Sequence, residues 1–134
     1  MISYKVGNEL PIDQVIDVYR ASTLGLRRPV DDQERMQKML SAANLVITAW
    51  DQDSLVGIAR SLTDFVFCTY LSDLAVDIRY QRQGIGKELM RRTQEAGGKA
   101  SIFLFAAPAA EDYYQHVGFS AGCGFLLREG ETIK

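Results

Sequence analysis

With two cysteines, Cys68 and Cys123, and one histidine, His116, in 134 residues, the chain cannot build a disulfide framework or a mixed Cys/His metal cluster. No carboxylate spacing suggests a metal site either. Prolines number three, and no Pro/Gly/Ser-rich stretch, low-complexity tract or fixed-period repeat divides the chain. An excess of one charge is also missing. Lys plus Arg number 15 against 17 Asp plus Glu, a net charge of −2 that provides no footprint for wholesale binding to nucleic acid or an anionic membrane. The longest apolar run, Ile102 to Ala107, is far short of the roughly 20 residues that span a bilayer. Residues Met1 to Asn8 lack the apolar core of a secretory signal. These absences point to a reduced, soluble, cytoplasmic protein.

What is present is an ordinary globular composition, 47% hydrophobic and 24% charged, at a length that suits one domain over residues 1–134. Ile2, Tyr4 and Val6 alternate as in a short strand. After Pro11, the spacing of Ile12, Val15, Ile16 and Tyr19 predicts a helix ending near Gly25, then a loop over residues 24–30. Asp31 and Asp32 can cap a second helix with a narrow stripe of Met36, Met39 and Leu40. Leu45 to Trp50 and Leu55 to Leu62 read as a hairpin, and Phe65 to Val76 as a longer strand that Ser72-Asp73 interrupts with a bend or bulge. A helix follows through Ile85, Leu89, Met90 and Thr93, stopped by Gly97-Gly98. Ser101 to Ala107 reads as a buried strand with Phe103 and Phe105 in the core, residues 109–117 as a short helix, and residues 119–128 as a terminal strand or hairpin. The order implies a mixed α/β sheet, antiparallel early and crossing over late.

The most informative stretch is Gln81-Arg82-Gln83-Gly84-Ile85-Gly86-Lys87, between a strand and a helix. Glycines at a helix start let a ligand approach the backbone, and the first-turn amides with the helix dipole favour a phosphate or pyrophosphate. A dinucleotide fingerprint needs glycine where Leu89 stands. A nucleoside-triphosphate loop needs glycine at Gln81 and Ser or Thr at Glu88. Both fail. The cations Arg79, Arg82 and Lys87 sit where the dipole disfavours them, which makes sense if an anion binds there.

Gln81, Gly84 and Gly86, after the apolar Leu74-Ala75-Val76, fit the pattern Gln/Arg-x-x-Gly-x-Gly/Ala. About thirty residues on, Tyr113-Tyr114 is followed after three residues by Gly118-Phe119. In these two elements and their order the chain resembles the GNAT superfamily of acyl-CoA-dependent N-acetyltransferases, convincingly from Leu55 to Phe119. Ser72 to Val76 with the glycine turn and Tyr113-Tyr114 is also similar to the small branch that includes plant-type serotonin N-acetyltransferases. The resemblance implies a GNAT fold, α/β (α+β), with a mixed, mostly antiparallel sheet splayed between strands four and five and flanked by about four helices. It implies acetyl-CoA as cosubstrate, with Gln81 among the cofactor-binding residues, the pyrophosphate on the loop amides of Arg82, Gln83, Gly84, Ile85, Gly86 and Lys87, and the pantetheine arm along Leu74 and Val76. Leu74 N–H would polarise the acetyl carbonyl, and Tyr114 would protonate the leaving thiolate, with Tyr113 on the core face.

For the base, Asp73 is the first candidate, acting through a water, with water alone as the alternative. His116 reads as a solvated surface residue and Arg27-Arg28 first as a solvated loop pair, with a clamp for a carboxylate on the acceptor as the alternative. The acidic residues Asp64, Asp73, Asp77, Glu111 and Asp112 would instead favour a cationic amine. The expected activity is acetyl transfer to a primary amine of a small molecule or peptide, with a homodimer compatible with the resemblance. The competing reading is a non-catalytic acyl-CoA-binding sensor or protein-interaction module.

Overall fold

Alternation and helical spacing produce the elements in the expected order. In the computed structural model, which describes residues 1–134, Ile2–Val6 forms β1 and Pro11 stands immediately before α1, Ile12–Ala21. A 3₁₀ turn, Thr23–Arg27, replaces part of the expected loop, with the Ser22 hydroxyl accepting from Leu24 N–H. Asp32 caps α2, Gln33–Ala42, by accepting from Arg35 N–H at 3.0 Å. Strands β2 (Leu45–Asp51) and β3 (Ser54–Thr63) form the hairpin, and β4 covers Cys68–Val76. A 3₁₀ turn at Ile78–Tyr80 leads through the glycine turn into α3, Ile85–Ala96. Strand β5 is Ser101–Phe103, and α4 is Glu111–His116 after a 3₁₀ turn at Pro108–Ala110.

The five strands lie in the order β1-β2-β3-β4-β5. The first four are antiparallel neighbours, whereas β5 runs parallel to β4 because α3 carries the chain across. Helices α1 and α2 cover one face, where Val15, Val18, Tyr19, Met36 and Leu40 meet Val46, Trp50, Ile58 and Ala75. Only two α2 side chains, Met36 and Leu40, are buried, which is what its narrow stripe dictates.

Helix α3 covers the other face. A Cβ on Gly57 would meet Leu89 at 3.2 Å and Ile85 at 3.3 Å, so glycine lets the start of α3 sit close on β3. At its far end, Gly97 lies against the Thr69 hydroxyl. A Cβ on Gly98, which has φ +69°, would come within 2.9 Å of the Phe65 carbonyl oxygen. No helix is long and apolar enough to cross a membrane.

Two expectations fail near the C-terminus. Strand β5 is three residues rather than Ser101 to Ala107, and Phe103 and Phe105 are half exposed instead of core. Residues 119–128 form no strand, and Phe125, Leu126 and Leu127 are exposed. Apolar runs mimic buried strands in a sequence whether or not a neighbouring strand is there to bury them. The chain divides into two compact units, Met1–Leu104 and Phe105–Lys134. The first carries the whole sheet with α1–α3, and the second carries α4.

Candidate active site

A bulge in β4 organises the first unit. Arg60 lies opposite Asp73 but the next residue, Ser61, lies opposite Leu71, so Ser72 is the extra residue. The interruption expected at Ser72-Asp73 is therefore real. It changes which face the strand presents. Thr69 turns toward α3, whereas Asp73 turns toward α1.

Asp73 is fully buried there. Its Oδ1 accepts from Arg28 Nε at 2.6 Å and from the Ser72 hydroxyl at 3.1 Å. Its Oδ2 accepts from Arg60 Nε and from the Tyr19 hydroxyl, each at 2.6 Å. Four donors thus occupy a carboxylate that offers about four lone-pair sites. Burial opposes the charged form, but Arg60, Tyr19 and Arg28 outweigh it and hold the carboxyl below the usual range. Burial, then the Asp73 charge, pushes the Tyr19 phenol far above its ordinary value, so it stays a donor. The general-base role expected of Asp73 does not fit this geometry. An acidic carboxylate with its lone pairs filled is a poor proton acceptor for an amine or a water.

Tyr19 and Arg60 escaped the sequence reading. Arg60 left a signal, since a lone charge inside the apolar run from Leu55 to Leu62 requires a buried partner.

One residue further along, β4 has a different environment. Pairing with β5 covers Cys68–Tyr70 against Ser101–Phe103 and then stops, while β4 continues to Val76. Asp77 N–H donates to Val56 O across to β3, and Val76 O accepts from Gln81 Nε2 at 2.9 Å on the opposite side. Strand alternation turns the main-chain N–H and C=O of Leu74 to that same side, away from β3. The edge from Leu71 to Val76 is the splay expected between strands four and five.

The glycine turn sits at the end of this edge. Asp77 caps the intervening 3₁₀ turn through Arg79 N–H and pairs with the Arg79 side chain at 2.8 Å, which holds its carboxyl below the usual range. Arg79 is therefore already engaged, unlike Arg82 and Lys87, which have no ion-pair partner. Gly84 is the N-cap of α3 at φ +81°, and Arg82 also has positive φ, +64°, uncommon for a non-glycine residue. Ile85, 3% exposed, anchors the first turn in the core. The first intrahelical bond runs from Glu88 N–H to Gly84 O, so the amides of Ile85, Gly86 and Lys87 have no carbonyl within the helix to reach. Gln81, Arg82, Gln83 and Gly84 are exposed around them. Such a turn suits a diphosphate, and the strand edge beside it suits an extended amide-bearing chain.

In the second unit, the Tyr114 ring is held edge-on between Tyr113, centroids 5.4 Å apart, and Phe119, 5.6 Å apart. Phe119 N–H also donates to Tyr114 O at 2.9 Å. Tyr113, expected on the core face, is instead 41% exposed. His116 is exposed, as expected.

A family model described as an acetyltransferase (GNAT) domain matches residues 21–124. A protein of Prochlorococcus marinus described as an uncharacterized N-acetyltransferase is 34% identical over 101 residues, 70% of this chain and 54% of that protein. A chloroplastic GCN5-related N-acetyltransferase of Arabidopsis thaliana is 37% identical over 73 residues, 52% of this chain and 28% of its own length. The chain thus spans about a quarter to a half of these two relatives. Among solved structures, a GNAT-family acetyltransferase of Streptococcus pneumoniae superposes with a TM-score of 0.77 at 27% identity, covering 96% of this chain and 100% of that one. An aminoglycoside N-acetyltransferase solved in complex with CoA shares the fold at a TM-score of 0.75 and 14% identity, covering 97% of this chain and 95% of that one.

Proposed function

The chain belongs to the GNAT acetyltransferase family, and from that premise we propose that it moves an acetyl group from acetyl-CoA to a primary amine of a small molecule or peptide, residues 1–134 acting as one acetyltransferase domain. The observation that carries the reading is the pairing of β4 with β5, which ends at Tyr70 opposite Phe103 and leaves the edge to Val76 leading into the glycine turn. The amides of Ile85, Gly86 and Lys87, with the Arg82 and Lys87 side chains, would hold the CoA diphosphate. Leu74 and Val76 would bond the pantetheine arm as a neighbouring strand does.

The reaction is direct attack. The amine nitrogen bonds to the acetyl carbon while Leu74 N–H donates to the carbonyl oxygen as it gains charge. The carbon–sulfur bond then breaks and the sulfur takes a proton. An alkylammonium with a pKa near 10.4 costs about 4–5 kcal/mol to deprotonate at pH 7, and water is the acceptor in this reading, since Asp73 is occupied. Tyr114 is assigned as the acid on its motif, because a phenol of pKa near 10 still carries its proton at neutral pH.

A thiol-release assay with acetyl-CoA across amines, amino acids and peptides tests the activity, and calorimetry with CoA against ATP tests the site. The expected result is turnover with at least one amine class and ATP competing poorly. Tyr114→Phe should lower kcat at least tenfold with CoA affinity nearly unchanged. Tight CoA binding without turnover on any amine would make the protein a binding module instead.

A further inference from the structure

We propose that Arg28 is a carboxylate-recognition residue and that the acceptor is an amine that also bears a carboxylate. The inference rests on the acetyl-transfer reading and supplies its missing substrate class.

The first argument is charge. The Asp73 carboxylate stands between two guanidiniums, Arg28 and Arg60, while Tyr19 contributes a neutral phenol. Neither arginine pairs with a second carboxylate, so the cluster keeps one positive charge in excess. Arg60, its side chain 9% exposed, is committed inward, donating to Asp73, Met39 O and the Ser72 hydroxyl. Arg28, its side chain 23% exposed, is the member that reaches the surface.

The second argument is donor count. A guanidinium carries five N–H bonds. Arg28 uses one each toward Asp73 Oδ1, Arg27 O and Ser72 O, at 2.6, 2.8 and 2.8 Å. Two donors remain on a side chain whose position is already fixed. A planar guanidinium is suited to a carboxylate, and fixing it beforehand removes most of the ordering cost of binding one.

The third argument is position. The bond from Arg28 to Ser72 O fixes the guanidinium two residues along β4 from Leu74, whose N–H faces the unpaired edge. At about 3.3 Å per strand residue, that is roughly 7 Å, the reach of one small bifunctional molecule. A carboxylate at Arg28 would leave the amine of the same molecule beside the strand position where acetyl transfer is placed. The acidic residues that could favour a purely cationic acceptor are differently occupied in this unit. Asp64 accepts from the amides of Val66, Phe67 and Cys68, and Asp77 pairs with Arg79.

The test compares free amino acids with their carboxamides, alanine, phenylalanine and lysine among them, as acceptors in the thiol-release assay. Calorimetry of the N-acetylated acids and amides in the presence of CoA reads binding directly. Wild-type protein should prefer acid over amide at least tenfold in kcat/KM or in product affinity. In Arg28→Lys and Arg28→Ala that ratio should collapse toward one, with thermal denaturation confirming that each variant is folded. Equal use of acid and amide by the wild type, or a preference that survives in folded Arg28→Ala, would overturn the proposal while leaving acetyl transfer standing. Failure of CoA itself to bind would instead overturn the function on which it rests.

Discussion

Asp73 and Leu74 are neighbours in one strand and have opposite surroundings. The Asp73 side chain is enclosed by two arginines, a phenol and a hydroxyl, all four lone-pair sites filled. The main chain of Leu74 looks toward an edge that β5 has already left. The extra residue Ser72 makes this contrast possible by turning Asp73 toward α1. The closed side fixes the strand position, and in the proposed function that steadies the donors of the open side. Preorganised donors are those that stabilise developing charge without reorganising.

Opening the closed side should have the largest effect. Asp73→Asn leaves two guanidiniums facing each other without their counter-charge, and denaturant unfolding should register a loss of about 3–5 kcal/mol. A loss under about 1 kcal/mol would mean the arginines relax into solvent, and the contrast would dissolve. Tyr19→Phe removes a single donor and strands one carboxylate lone pair, with an expected cost of about 1–3 kcal/mol in the same measurement.

On the open side, Gly84→Ala should cost about 1–2 kcal/mol and weaken CoA binding in calorimetry. A Cβ there meets nothing within 4 Å, so the penalty comes from the φ of +81° and not from crowding. Gly84→Asn, more tolerant of that conformation, should lose less.

The smallest effect is the acid dependence. The folded state holds the Asp73 carboxyl below its unfolded value, so its contribution is complete above about pH 4 and fades as pH falls through the lower folded value. Chemical denaturation from pH 6 to pH 3 should therefore show a decline in the wild type that is shallower in Asp73→Asn. Parallel curves would mean the carboxylate is not specially held.

Most of the fold could be read in advance because its signals are local. Pro11, Asp32 and Gly97-Gly98 mark helix ends through their own local chemistry, and the glycine turn stands out within seven consecutive residues. The Asp73 cluster could not, because it joins α1, the 3₁₀ turn, β3 and β4 across up to 54 positions. A lone Asp in a strand reads the same whether it is a free base or locked by arginines. The strands expected over residues 101–107 and 119–128 are shortened or missing for the converse reason. Apolar content reports a tendency to be covered, and the coverage itself belongs to whatever lies alongside.

Helix α3 touches the rest of its unit at both tips, through Gly57 near Ile85 and through Gly98 against the Phe65 carbonyl. Packing this close at each end leaves little room for the helix to slide lengthwise. If the first turn holds a diphosphate as proposed, accommodation falls to the side chains of Arg82 and Lys87, and hydrogen exchange should slow on CoA binding most at the unbonded amides of Ile85, Gly86 and Lys87.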